Sequence, residues 1–175
     1  MNAEPGADAL RYFKMAILDQ RVSDPHEIMM SARSLQAFVN SFEDIVDPTP
    51  DALLFQGQFI AGPVLLSLAM ELALKAWWAT ENQNLDIPKT HDLVKLFDEL
   101  NERTRAVLEE AHPEFPSPFR GSPPIRRGLR SLLVCSKDAF VEWRYLHEMT
   151  RARFQNGEFN EALSAVIEEF DRTAG

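Results

Sequence analysis

Residues 65–79 read LLSLAMELALKAWWA, a stretch that is apolar almost all the way round a helical wheel. One polar seam interrupts it, at Ser67, Glu71, Lys75 and Trp78. A helix with so little polar surface must sit at the centre of a helical domain. A second segment follows closely. THDLVKLFDEL (90–100) is amphipathic and opens on the pair His91-Asp92. Together they predict an all-α fold, an up-and-down bundle of five to seven helices in a single domain over 1–175.

The remaining segments fit that frame. Residues 7–22 read as a short helix with Leu10, Phe13 and Ile17 on one face, giving an N-terminal element over 1–22. Residues 26–46 place Ile28, Ala32, Leu35, Val39, Phe42 and Val46 at spacings of four and three, a helix-packing seam. Asp47-Pro48-Thr49-Pro50 ends it. Residues 52–60 predict a short helical lead-in, and Gly62-Pro63 predicts a break or kink before a central helix over 64–82. Thr90 is the expected N-cap of a helix over 91–111, continuous or bent near Asn101. Five prolines mark 113–124 as an extended loop. A helix over about 125–149 follows, then a turn at Gln155-Asn156-Gly157, then a helix over 158–173 striped by Phe159, Leu163, Val166, Ile167 and Phe170. No segment alternates with a period of two, so no sheet is expected.

Composition narrows the function classes. The chain has 175 residues, 45% hydrophobic and 26% charged, enough for a sizeable core. No run reaches the roughly 18 uninterrupted apolar residues of a membrane span, and no secretory signal is visible. The one cysteine, Cys135, rules out an internal disulfide and reads as a buried thiol in the run LLVCS. These features point to a cytoplasmic setting.

The net charge of −9 argues against a broad nucleic-acid surface. The charge is uneven, however. Residues 113–137 carry Arg120, Arg126, Arg127, Arg130 and Lys137 against Glu114 alone. That cluster is either a solvated basic helix start or a local phosphate site. Positive charge at a helix N-terminus opposes the helix dipole, which makes the placement notable.

Several chemistries lack their residues. A di-iron bundle needs two Glu-x-x-His motifs. This chain has one, Glu109 to His112, beside Pro113. The four histidines show no zinc spacing, and there is no nucleophile elbow, phosphate-cradling loop or basic recognition helix. No metal, cofactor or DNA-binding motif is therefore expected. The polar features that remain are three. Glu71 and Lys75 stand at i, i+4 in the favourable order. His91 opens a helix beside Asp92, as a structural hydrogen-bonding residue or a ligand contact. Trp143-Arg144-Tyr145 with His147 and Glu148 is an aromatic anchor with an ion pair, or one wall of a groove.

AMELALKA, then HDLVKLFDEL, then FVEWRYLHE, in that order and spacing, resemble the HEPN superfamily over about residues 60–150. The resemblance implies a helical bundle that commonly dimerises, with a role around nucleotides or RNA in prokaryotic defence, stress or toxin–antitoxin systems. Some members are metal-independent ribonucleases carrying Arg-x4-6-His late in the chain. Here Arg144 and His147 are separated by two residues, and the wider match, Arg105 to His112, falls in another helix. The expectation is a non-catalytic dimeric module that binds a nucleotide, RNA or protein partner. Its candidate contacts are His91, Arg144, Tyr145, Arg126, Arg127 and Arg130, with Glu71 and Lys75 as a structural seam. The alternatives are a metal-independent endoribonuclease using Arg144 and His147, and a purely structural adaptor or antitoxin-like subunit.

Overall fold

The computed structural model describes residues 24–41, 52–83, 86–114, 128–136 and 156–174. Among them are six helices and no strand: α1 (Pro25–Asn40), α2 (Ala52–Glu81), α3 (Leu93–Asp98), α4 (Glu102–Ala111), α5 (Leu129–Ser136) and α6 (Asn156–Ala174). The all-α expectation holds. The expected helix at 7–22, most of the loop 113–124 and the segment holding Arg144 lie outside the described residues.

Helix α2 is the axis on which the others pack. Ala69, Met70, Ala73, Leu74, Ala76 and Ala79 are fully buried, and α1, α3 and α6 lie against it. Of the expected break or kink at Gly62-Pro63, the break is absent: a single 30-residue helix runs through Pro63. Proline removes one ladder bond, and burial along this helix outweighs that loss, since both Gly62 and Pro63 are buried. Ile60–Glu81 is long and apolar enough to cross a membrane by length and composition, because its mean hydropathy absorbs the interrupting polar residues. In this fold its apolar part is mostly buried, as in the core helix of a bundle.

Helix α1 begins where Asp24 caps it, its side chain accepting from His26 N–H at 2.9 Å, with Pro25 at the first position. Ser41 is its C-cap, and the expected continuation to 46 falls outside the described residues. The Ser41 hydroxyl donates to the Phe38 carbonyl at 2.6 Å and meets the need of a terminal acceptor. Phe42 and Val46 lie outside the described residues. Ile28, Met29 and Ala32 are buried, and Gln36 turns inward with them. The Gln36 amide donates to Asn160 Oδ1 (2.9 Å) and Ser164 Oγ (2.8 Å), a polar fastening between α1 and α6.

The predicted helix 91–111 is two helices. Asn101 caps α4, accepting from Thr104 N–H at 2.8 Å, and thereby separates it from α3. Thr90 is not the cap of α3. Asp92 is, accepting from Val94 and Lys95 N–H, while Thr90 Oγ1 accepts from Asp92 N–H at 3.1 Å. In α5, Leu129, Leu132, Leu133 and Ser136 face inward, and Cys135 is exposed rather than buried. The helical period puts Ser136 on the inward stripe and turns Cys135 away from it. The predicted turn at Asn156-Gly157 is instead the start of α6. Its stripe is buried as expected, and Phe170 meets the Trp77 ring edge-on at 5.4 Å.

Candidate functional site

Glu71 lies deep in α2, with 5% of its side chain exposed. Burying a carboxylate that far requires donors for both oxygens. Lys75, one turn on, supplies one, its Nζ donating to Oε1 at 2.6 Å. The second comes from outside the helix, where His91 Nδ1 lies 2.9 Å from Oε2. An ionised carboxylate only accepts, so Nδ1 carries the proton in this contact. The Asp92 cap fixes the backbone just after His91, and so presents the ring to Glu71 across the α2–α3 junction.

The two donors differ in exposure. The Lys75 side chain is 14% exposed and His91 is 65% exposed. Lys75 also borders a groove of about 280 Å³ whose other walls are Ile28, Ser31, Leu72 and Ile87. The site is therefore an apolar trough with a held ammonium on one side. The same carboxylate that holds the ammonium also holds an exposed imidazole.

The basic segment fares differently. Arg130 grips Asp98 with two parallel bonds, Nε to Oδ1 at 2.8 Å and a terminal nitrogen to Oδ2 at 2.7 Å. That pair pins α5 to α3. The Arg130 guanidinium holds the Asp98 carboxyl below its usual range, chiefly by these hydrogen bonds. The dipole cost predicted for the basic cluster is offset by a distant residue. Glu109 of α4 reaches the N-terminus of α5, accepting from Leu129 N–H (2.7 Å) and Arg130 N–H (2.9 Å). Both oxygens of the lone Glu-x-x-His motif thus serve as a cap, and His112 is buried at the end of α4.

The chain matches no protein-family model, no curated protein and no solved structure.

Of the residues singled out in the sequence, the structure joins Glu71, Lys75 and His91 in one network and places Arg130 elsewhere, on Asp98. Arg126, Arg127, Arg144, Tyr145 and His147 lie outside the described residues. Sequence reasoning missed Asp98, the groove walls and the capping role of Glu109. Asp98 gave no signal beyond a charge on an exposed helix face. The groove walls Ile28, Leu72 and Ile87 come from three segments and meet only in the fold. Glu109 did carry a faint signal, since a glycine directly preceding a basic helix start leaves room for a side chain from elsewhere.

Proposed function

We propose that the chain is a non-catalytic, HEPN-like helical module that binds a nucleotide or short RNA end at the α2–α3 junction. It does so as a homodimer in the cytoplasm. The single observation that supports this most is the trough beside Lys75. Its apolar walls suit a base, and the ammonium at its edge suits a phosphate oxygen, with His91 on the same carboxylate. The Glu71 network favours binding over catalysis. A carboxylate already holding two donors is a positioning device, and Lys75 within it is an ion-pair partner.

The test is calorimetric titration of the full chain with AMP, ATP and a short oligoribonucleotide at two salt concentrations. Weak, salt-sensitive binding that Lys75→Met removes is expected. RNA incubated without divalent metal at neutral pH should stay intact. Absence of nucleotide binding at millimolar ligand would overturn the reading. Metal-independent RNA cleavage abolished by Arg144→Ala or His147→Ala would replace it with the ribonuclease.

A further inference from the structure

A second cleft, of about 330 Å³, lies where the last turns of α2 and α6 meet the first turn of α4. Trp77 lines it, as do four charged side chains, Glu81, Arg103, Glu169 and Arg172. Two of these charges answer each other, because the Arg172 guanidinium pairs with both oxygens of Glu169. The other two do not. Glu81 Oε2 accepts from Asn101 N–H at 2.9 Å, whereas Oε1 is buried and has no hydrogen-bond partner. A buried carboxylate oxygen without a donor has lost its hydration and gained nothing in return. In a native fold such an atom points to a water, an ion or a ligand.

Arg103 is the counterpart. It is exposed and makes no ion pair among the described residues. It stands at the second position of α4, the positive end of that helix dipole, where a cation is disfavoured and an anion is welcome. The cleft therefore offers an unanswered acceptor on one wall and an unanswered cation on another, and its four charges sum to zero. A simple amine would satisfy only Glu81, and a simple carboxylate only Arg103. The volume is at the small end of ligand cavities, which run from about 300 to 1,000 Å³.

We propose that this cleft binds a small zwitterion of the α-amino-acid class, its ammonium donating to Glu81 Oε1 and its carboxylate accepting from Arg103. The site is separate from the trough at Lys75 and does not depend on nucleotide binding there. Trp77 provides a reporter, since its indole N–H donates to the Val166 carbonyl at 3.2 Å beside the cleft.

The experiment is a nuclear magnetic resonance titration of the full chain, following the Trp77 indole resonance. Glycine, L-alanine and L-leucine are the probes, with n-butylamine and butyrate as half-ligands. At least one amino acid should shift the resonance saturably, and each half-ligand should bind about tenfold more weakly or worse. Glu81→Gln keeps an acceptor for Asn101 N–H, and Arg103→Gln is a surface change, so both variants should fold. Each should weaken the amino acid by a similar factor. No saturable shift up to concentrations on the order of 10 mM would overturn the proposal. So would half-ligands that bind as well as the whole, or variants that leave binding unchanged.

Discussion

The carboxylate of Glu109 occupies the space that a Cβ on Gly128 would need. A methyl built there would meet Glu109 Oε2 closer than any real Cβ contact, with the carboxyl carbon 3.2 Å away. The glycine is what lets α4 reach the open N–H groups of α5. Gly128→Ala should therefore displace the cap and lower stability by up to about 1–2 kcal/mol in urea denaturation. Glu109→Ala, which removes the cap without a clash, should cost about 1–2 kcal/mol. In the Glu109→Ala background, Gly128→Ala should become nearly neutral. Simple additivity of the two losses would mean that the residues do not compete for one space.

The Glu71 network should be strongly coupled. Lys75→Met leaves the buried carboxylate with His91 alone, and should change stability by about 1 kcal/mol or more. Glu71→Leu leaves Lys75 partly buried and unpaired, at a similar or larger cost. The double variant should cost less than the sum. A Lys75→Met change within about 0.3 kcal/mol of zero would class the pair with ordinary surface ion pairs.

The Asp98–Arg130 pair predicts a pH dependence of definite sign. Its carboxyl is held below the usual 3.8, first by the Arg130 hydrogen bonds. The stabilisation is thus present above that value and is lost as pH falls through the lower, folded-state value. Asp98→Asn should destabilise the protein at neutral pH. The gap between wild type and variant should close as the solution is acidified below about pH 4. Because the pair is exposed on both sides, added salt should also narrow the gap. A gap unchanged from pH 7 to pH 3 would show that the pair contributes through packing rather than charge.

The proposed homodimer needs an exposed face. The helix-packing seam of α1, Ile28, Ala32, Leu35 and Val39, packs inside the protein as part of its core or against it. The opposite side of α1 exposes Met30 at 57% and Phe38 at 55%. A two-fold contact there should give a particle of about 40 kDa from the 19.9 kDa chain. Met30→Glu with Phe38→Glu should return it to the monomer. Light scattering that finds about 20 kDa for the wild type at micromolar concentration would count against the dimer.

What was legible in the sequence was whatever repeats along it. The α6 stripe from Phe159 to Phe170 is buried as its spacing predicts, and so are Leu93, Leu96 and Phe97. What was not legible depends on meetings between segments. Pro63 looked like a break or kink because local rules describe its backbone cost, and burial by other helices outweighs that cost. Cys135 looked buried because an apolar run does not reveal its own phase. That phase is set by which side of α5 meets α3 and α4. For the polar network, the i, i+4 link from Glu71 to Lys75 could be read directly. The link from Glu71 to His91 spans twenty residues, and it exists only because the Asp92 cap turns the chain there.

The central position of α2 has a consequence for biosynthesis. The helix shares its Trp77 surface with Phe170 and Val166 of α6, which leave the ribosome roughly ninety residues later. Until α6 emerges, the Trp77 side of α2 lacks its α6 partner, while α1 and α3 cover other parts of the helix. Completion of the core must therefore wait for the last described helix. The interval before it arrives is when the nascent chain is most exposed to aggregation.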